Sequence, residues 1–153
     1  METKLYKASD ITLDGRMDEP VWNEVEEHTG FKEMEVYRAA LTRGGKLEEA
    51  QTSFKVLPCE DCVYFGIKCM EPDMDFLKSK KTTDIYMTNT VELFLAPTNE
   101  GSEFYHFLLS FQGETATGFF GEHGNVTLQR YLPVWESAVY AGEDYWSAEI
   151  KLP

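Results

Sequence analysis

The sequence predicts an all-β protein, an antiparallel β-sandwich of the jelly-roll or immunoglobulin-like kind. Runs of about five to eight residues alternate apolar with polar side chains and end at turn residues, and no stretch sustains the 3.6-residue period of an amphipathic helix. Aromatic residues make up 14% of the 153 residues, and aromatic side chains favour the pleated surface of a sheet. Because no helices alternate with the strands, the strands are expected to pair antiparallel.

The N-terminal segment predicts a short strand followed by a helical turn. Residues 11–13 are apolar at alternate positions and lead into the turn Asp14-Gly15. Asp18 is the expected N-cap of the helical turn, with Pro20 in its first turn. Trp22, which this turn carries, is predicted to be a core anchor rather than a ligand platform.

Three β-hairpins are predicted further along the chain, each from two alternating runs separated by a turn. Their strands are residues 52–57 and 63–67, 90–95 and 103–112, and 138–140 and 145–152. Residues 41–46 are expected to form a flexible connection, residues 71–81 a polar one, and residues 113–124 a glycine-rich segment. Trp146, in the last strand, is expected to be buried.

Length, charge and hydropathy limit the function classes. Residues 1–153 are interpreted as a single domain excised from a longer chain, with its final strands missing after Pro153. The formal net charge of −13 repels phosphate backbones, so no nucleic-acid partner is expected. No run approaches the ~20 apolar residues of a membrane-spanning helix, so no membrane span is predicted.

The sequence lacks the motifs of known enzyme and metal sites. Cys59 and Cys62 have the C-x-x-C spacing but no second pair, so these two residues and Cys69 are interpreted as incidental thiols. The three histidines lack metal-ligand spacing, and no nucleophile motif is present. A pair of carboxylates, as in glycosidases, stays open because pairing in space is invisible in a sequence. The chain is therefore predicted not to be an enzyme.

The middle hairpin carries the residue types that sugar recognition needs. Flat aromatic rings stack on the C–H faces of pyranose rings, and fixed polar groups bond the hydroxyls. Glu92 lies on the opposite face of its strand from its apolar neighbours. The next strand presents His106, Ser110 and Gln112 on one side, and Tyr86 is expected at the rim of this patch. An ordinary solvent-exposed face is the alternative interpretation.

Other aromatic residues are candidates to contact a ligand. Trp135 follows Pro133 and is expected on a loop, where it can reach a ligand. Phe119 and Phe120 are flanked by glycines and are expected to form either a platform or a lid.

Five motifs, in chain order, resemble those of the family 9 carbohydrate-binding modules. The family pattern I-x-L-D-G, a short gap and D-E-x-x-W is reproduced by residues 11–22. Residues 60–65 are similar to the family's turn leading into L-Y-V. Residues 86–95 are similar to the segment that contains its S-V-E-x-F-L element. The F-x-x-N strand before a glycine turn is similar to residues 107–113, and the closing W-x-x-E-x-x-I-P element to residues 146–153. The resemblance thus extends from residue 11 to the last residue.

This resemblance implies a non-catalytic β-sandwich that binds poly- or oligosaccharide and is appended to a secreted or surface protein that processes polysaccharide. In the family, two aromatic rings enclose a terminal sugar while a Glu, an Arg and an Asn bond its hydroxyls. By position, Tyr86 corresponds to one aromatic and Glu92 to the acid. Leu108 stands at the Arg position and Ser110 at the Asn position, and the second aromatic falls beyond Pro153.

The resemblance also implies partners, localisation and metal content. The expected partners are carbohydrate and the other domains of the parent chain, and the expected localisation is extracytoplasmic: secreted, periplasmic or at the cell surface. No cofactor is expected apart from a structural calcium ion of the kind that family members hold in loops. Asp14, Asp18, Asp73 and Asp75 have the right ligand type but match no defined calcium loop.

Two other functions stay open. The sandwich can be a purely structural or interaction domain, with the patch around Glu92 covered by protein instead of sugar. It can also be the haem-binding, DOMON-type variant of the same sandwich group, which uses Met with His or Lys as axial ligands. The candidate haem ligands here are Met70, Met74, Met87 and His106.

Overall fold

The computed structural model describes residues 4–31, 51–79, 84–98, 103–121, 124–125 and 133–153. Its strands are β1 (Glu27–His28), β2 (Thr52–Pro58), β3 (Val63–Met70), β4 (Thr90–Leu95), β5 (Phe104–Ser110), β6 (Thr115–Gly121), β7 (Gly124–Asn125), β8 (Glu136–Ala141) and β9 (Tyr145–Leu152). Helix α1 spans Met74–Ser79, and 3-10 helices span Ala8–Asp10, Pro20–Asn23 and Ile85–Met87. Among the described residues, no helix is long and apolar enough to cross a membrane. The predicted connection at residues 41–46 lies outside the described residues.

The strands form two sheets whose neighbouring strands all pair antiparallel. The five-stranded sheet has the order β1-β2-β3-β9-β8, and the four-stranded sheet has the order β4-β5-β6-β7. The three predicted hairpins are present as β2–β3, β4–β5 and β8–β9. The predicted all-β, antiparallel fold class is therefore confirmed.

The chain divides into two compact units. The first contains Met1–Lys78 and Trp135–Pro153 and carries the five-stranded sheet. The second contains Ser79–Val134 and carries the four-stranded sheet, so it is inserted in the chain between the strands of the first.

In the core of the first unit, the N-terminal segment packs against the hairpin of β2 and β3. Its buried members are Ile11, Val21, Trp22, Leu57, Cys59 and Tyr64. Trp22 is 1% exposed and Trp146 is 2% exposed, which confirms the core roles predicted for both tryptophans. A parallel bridge between Tyr6 and Cys59 adds a backbone link between the N-terminal segment and the end of β2.

Glu149 is fully buried and ties the N-terminal motif to β9. Its Oε2 accepts hydrogen bonds from the amides of Asp14 at 3.0 Å and Gly15 at 2.8 Å, and its Oε1 accepts one from Trp22 Nε1 at 3.1 Å. Burial raises the pKa of the Glu149 carboxyl, while the two amides act in the opposite direction. Gly15 has a φ of 84°, and a Cβ there would lie 2.7 Å from Tyr140 N, so the site requires glycine.

Two expectations for the N-terminal segment are wrong. Residues 11–13 form no strand, because the Thr12 amide donates to Glu19 Oε1 at 2.7 Å instead of to a neighbouring strand. Asp18 is not the N-cap, since Glu19 holds that position and makes no side-chain capping bond. Pro20 does occupy the first turn of the 3-10 helix, as predicted.

Strand β6 and helix α1 were not predicted. Residues 113–124, expected as a glycine-rich segment, contain β6, whose interior includes Gly118. Glycine weakens a strand when it is considered locally, and pairing with β5 overrides that tendency. The polar stretch 71–81 contains α1, which Asp73 initiates by accepting a hydrogen bond from the Phe76 amide at 2.9 Å.

Candidate functional site

The four-stranded sheet has one apolar face and one mixed face. On the apolar face, Val91 pairs with Leu109, and Phe107 lies next to them; all three are buried. Because side chains alternate along a strand, Glu92 and Phe94 lie on the mixed face, as predicted. The part of this face discussed below, called the site face, consists of Glu92, Phe94, Phe104, His106 and Phe120.

An acid and an imidazole meet at the centre of the site face. The register places Phe94 opposite His106, so Glu92 approaches His106 diagonally, and His106 Nε2 lies 2.7 Å from Glu92 Oε2. The tautomer with a proton on Nε2 donates to the carboxylate. The Glu92 side chain is 41% exposed, whereas that of His106 is only 10% exposed. The contact with the buried His106 ring therefore fixes one carboxylate oxygen of Glu92, while part of the Glu92 side chain remains exposed to solvent.

Aromatic rings adjoin this pair. Phe94 stacks on His106 with ring centroids 4.2 Å apart and an interplanar angle of 15°. Phe104 meets Phe94 edge-on at 5.6 Å and stacks on Phe120 at 4.9 Å. Phe94 is 57% exposed, so the ring that caps His106 also presents apolar surface to solvent beside Glu92.

Tyr86, Ser110 and Gln112 lie at the end of the sheet where β4 begins. Tyr86 is 67% exposed, and its amide donates to Asp84 Oδ1 at 3.0 Å, which caps the 3-10 helix. Gln112 Oε1 accepts a hydrogen bond from Thr88 Oγ1 at 3.0 Å. Tyr86 and Gln112 thus flank the site face at its edge, as accessible side chains near the start of β4.

Ser110 and Leu108 share the mixed face but have almost no exposed surface. Ser110 is 0% exposed, and its Oγ accepts a hydrogen bond from the Glu114 amide at 3.1 Å. Its hydroxyl therefore stabilises the turn between β5 and β6. Leu108, directly opposite Glu92 in the register, is 2% exposed and supplies apolar packing where the resembled family has an arginine.

Trp135 belongs to the first unit, immediately before β8, and is half-buried there. The other five predicted site residues belong to the second unit. The structure thus brings Glu92 and His106 into direct contact and places Tyr86, Ser110 and Gln112 on their sheet, but Trp135 lies on the other unit.

Two residues of the site face, Phe94 and Phe104, were not among the residues predicted to contact a ligand. Phe94 shares the face of Glu92 by simple alternation, so its position was readable from the sequence. Phe119 and Phe120 were considered as a pair, but they lie on opposite faces of β6, and only Phe120 joins Phe104. Assigning Phe120 to the site face requires the register of β6 against β5.

The positions of the candidate ligands give little support to haem binding or metal binding. Met70 and Met74 belong to the first unit, while Met87 and His106 belong to the second, and the His106 nitrogen Nε2 is occupied by Glu92. Within the described ranges, no group of three His, Cys, Asp or Glu side chains is placed to hold a metal ion. Of the candidate calcium ligands, Asp14 accepts a hydrogen bond from the Arg16 amide, which closes a local turn.

All three cysteines are free thiols, and burial affects the pKa of two of them. Burial raises the pKa of Cys59 to about 11, with further contributions from Cys62 beside it. Burial also raises the pKa of Cys69 to about 11. Thiols that ionise so reluctantly are poor nucleophiles near neutral pH.

Comparison with known proteins rests on structure alone. No family model and no curated protein matches the sequence. A family 9 carbohydrate-binding module from Caldicellulosiruptor kristjanssonii, solved in complex with cellotriose, is similar with a TM-score of 0.61 and 15% identity, over 93% of this chain and 62% of that one. A candidate carbohydrate-binding protein from Bacteroides uniformis is similar with a TM-score of 0.57 and 14% identity, over 97% of this chain and 69% of that one.

At these identities the likeness establishes the fold. The chain spans less than two thirds of the length of the Caldicellulosiruptor module chain. The fold of this protein is that of the family 9 carbohydrate-binding modules.

Proposed function

We propose that this chain is a non-catalytic carbohydrate-binding module whose ligand lies on the site face, with Glu92 accepting hydrogen bonds from sugar hydroxyls. The observation that carries the proposal is the 2.7 Å contact between His106 and an exposed Glu92 carboxylate, set beside the exposed Phe94 ring. The similarity of the fold to a module solved with cellotriose supports the same conclusion.

The chemistry of the site face suits a sugar. A pyranose presents hydroxyls at its edge and C–H groups on its faces, so it needs a polar anchor beside an aromatic surface. Glu92 is a charged acceptor, and hydrogen bonds to charged acceptors are stronger than those between neutral groups. Because His106 fixes one oxygen of that acceptor, the carboxylate loses less side-chain freedom when a sugar binds.

The other predicted contact residues differ in exposure and in the unit to which they belong. Tyr86 and Gln112 are exposed at the sheet edge and are proposed as additional contacts. Ser110 is proposed to act indirectly, by holding the turn that carries Gln112. Trp135 is proposed as a contact on the strength of its sequence position only, since it belongs to the other unit.

The setting of the module is also a proposal. We infer a single sugar-binding domain within a longer, extracytoplasmic protein that processes polysaccharide, with the other domains of that protein as partners. The support is the resemblance of the five motifs to those of the family 9 modules.

Isothermal titration against a panel of mono- and oligosaccharides tests the function. The wild-type chain is expected to bind at least one glycan, and Glu92→Ala is expected to weaken that binding by roughly tenfold or more, as for loss of a charged hydrogen bond. Glu136→Ala is the matched control, because Glu136 is also a strand carboxylate with a nitrogen partner, Lys151 Nζ at 2.7 Å, in the other unit. Binding of no glycan in the panel overturns the proposal.

An interaction domain is the second candidate, and one observation favours it. Tyr86, Met87 and Phe94 are 67%, 72% and 57% exposed, and large exposed apolar side chains commonly mark protein interfaces. Glu92→Ala and Tyr86→Ala separate the two functions. If the site binds sugar, both variants lose glycan affinity without affecting assembly of the parent protein; if it binds protein, assembly is what weakens.

A further inference from the structure

We infer that Cys59 and Cys62 form a dithiol site that a small-molecule disulfide oxidises to an intramolecular disulfide, which closes the turn between β2 and β3. The site lies in the first unit, so it goes beyond the proposed sugar binding and does not depend on it. Sequence spacing alone left these two residues as incidental thiols, whereas the fold places them face to face.

The backbone holds the two cysteines opposite each other. Pro58 pairs with Val63 at the end of the β2–β3 register. The next pair outward is therefore Cys59 with Cys62, and the Cys59 amide donates a hydrogen bond to the Cys62 carbonyl at 2.8 Å. Residues paired in this way have Cα atoms about 5.5 Å apart, within the roughly 4.4–6.8 Å that a disulfide spans. The backbone thus already has the separation that a disulfide requires.

The two thiols are also in contact, and they differ in access to solvent. Burial raises the pKa of the Cys59 thiol to about 11, and the charge of Cys62 and a side-chain hydrogen bond to it act in the same direction. Cys59 is buried, whereas Cys62 is half-buried and reaches solvent. An oxidant therefore meets Cys62 first, and Cys59 is the thiol that completes the reaction.

Distance excludes Cys69 as a partner. It lies seven residues beyond Cys62, near the far end of β3. A strand advances about 3.3 Å per residue, so roughly 20 Å separates the two residues. A disulfide forms only when the Cα atoms lie within about 7 Å of each other. The chain therefore has one pair of thiols that can close and one thiol that cannot join it.

Oxidation takes two exchange steps. Cys62 loses its proton and attacks one sulfur of a small-molecule disulfide such as glutathione disulfide, which forms a mixed disulfide and releases one thiolate that is then protonated. Cys59 loses its proton and attacks the Cys62 sulfur, which releases the second small thiol. Two cysteine thiols are thus oxidised, one disulfide is reduced to two thiols, and two protons pass from the cysteines to the products. After the first step, Cys62 no longer carries a charge that opposes ionisation of Cys59.

The disulfide would restrain the place where the N-terminal segment attaches. The Tyr6 amide donates to the Pro58 carbonyl at 2.9 Å, and Tyr6 forms a parallel bridge with Cys59. Cys59 belongs to the same buried cluster as Trp22, and Cys62 packs against that cluster. Closing the turn therefore fixes the strand end to which the N-terminal segment is bound. An oxidising compartment, where disulfides persist, would stabilise the first unit in this way.

Peptide mapping tests the site. Trypsin cleaves after lysines and releases residues 56–68, which carry both members of the pair, while Cys69 falls on the next peptide. The reduced protein is incubated with glutathione disulfide at about pH 8, unfolded, treated with iodoacetamide and digested. We expect peptide 56–68 to lose two hydrogen atoms and to take up no iodoacetamide, whereas Cys69 is alkylated. Unchanged thiols in peptide 56–68, or a glutathione that stays on Cys62 beside a free Cys59, would refute the pairing.

Single substitutions assign the role of each thiol. Cys59→Ala should stop the reaction at the mixed disulfide on Cys62, and Cys62→Ala should leave Cys59 mostly unmodified because that thiol is buried. Cys69→Ala is the matched control, since it removes another thiol of the same hairpin and should oxidise at the wild-type rate. Equal glutathione uptake by Cys59→Ala and Cys62→Ala would contradict the order of attack. If Cys59→Ala does not fold, the wild-type peptide map still decides the pairing.

Thermal melts measure the consequence for stability. Closing a loop this short should raise the melting temperature of the oxidised protein by about 4 °C over the reduced protein, and dithiothreitol should abolish the difference. Cys69→Ala should show the same shift, and Cys62→Ala should show none. Equal melting temperatures of the oxidised and reduced wild-type protein would contradict the stabilising role of the disulfide.

Discussion

Trp22 Nε1 donates a hydrogen bond to Glu149 Oε1 at 3.1 Å, across 127 positions of sequence. The same carboxylate receives the Asp14 and Gly15 amides, so one buried side chain anchors the helical turn, the preceding turn and β9. The opening and closing motifs of the chain are therefore two halves of one structural network, and that network belongs to the fold rather than to ligand recognition.

Removal of the Glu149 carboxylate should destabilise the protein strongly. Glu149→Ala leaves three N–H donors without their acceptor, two of them in buried hydrogen bonds, and we expect the free energy of unfolding to fall by about 3 kcal/mol or more. Urea denaturation measures the change. Glu136→Ala, which breaks the exposed ion pair with Lys151, is the control and should cost about 1 kcal/mol or less. A similar loss in both variants would contradict the anchoring role.

The raised pKa of Glu149 predicts how its contribution varies with pH. Because burial raises the folded-state pKa above 4.5, the value of an ordinary glutamate, the folded protein holds this proton more tightly than the unfolded chain does. Stability from this group is thus largest below the unfolded pKa and declines as pH rises through the folded pKa. Relative to Glu149→Gln, which cannot titrate, the wild-type advantage in free energy of unfolding should shrink in urea melts as the pH is raised above about 4.5. An advantage that grows with pH would mean that the ionised form is favoured.

Replacement of Gly15 should cost more than replacement of a comparable glycine. Gly15→Ala forces a side chain into a φ of 84° and places Cβ 2.7 Å from backbone atoms of β8, so we expect a loss of more than about 2 kcal/mol. Gly30→Ala is the matched control, because Gly30 has a φ of 80° but no atom within 4 Å of its Cβ position. It should cost about 1 kcal/mol. Equal losses in thermal melts would show that steric contact with β8 contributes nothing.

Two of the three thiols should resist alkylation in the folded protein. With a pKa of about 11, roughly one molecule in a thousand has an ionised Cys59 or Cys69 at pH 8. Treatment with iodoacetamide followed by peptide mass spectrometry should show slow labelling at both positions and rapid labelling after denaturation. Rapid labelling of native Cys59 would show that the end of β2 opens readily.

Glu92 and His106 should act as a unit in ligand binding. Glu92→Ala removes the acceptor, and His106→Ala removes the group that orients it, so each single substitution should weaken glycan affinity. The double variant should lose less than the sum, with a coupling free energy of about 0.5–3 kcal/mol in a titration cycle. Glu92 with Glu136 provides the control pair, and it should be additive because these residues lie on different units. Additivity of Glu92 with His106 would mean that the imidazole does not orient the acid.

Much of the fold was readable from the sequence because hairpins are local. Two alternating runs and a turn define β2 with β3, β4 with β5, and β8 with β9 without any distant information. Alternation alone also placed Glu92 and His106 on the same face of the sheet. These features depend on neighbours within a few residues, which is why the amino-acid pattern determines them.

Tertiary contacts decided the rest. Residues 11–13 are extended without being a strand, because a side-chain carboxylate takes the Thr12 amide, and β6 is a strand despite Gly118 because β5 pairs with it. The burial of Ser110 and the stacking of Phe94 on His106 depend on contacts with residues that are distant in sequence. The alternation of apolar and polar residues along one strand does not predict such contacts. The sequence identified the opening motif, with Gly15 and Trp22, as structural. Its partner Glu149 was revealed only by the folded structure, since Trp22 and Glu149 are 127 positions apart in the sequence.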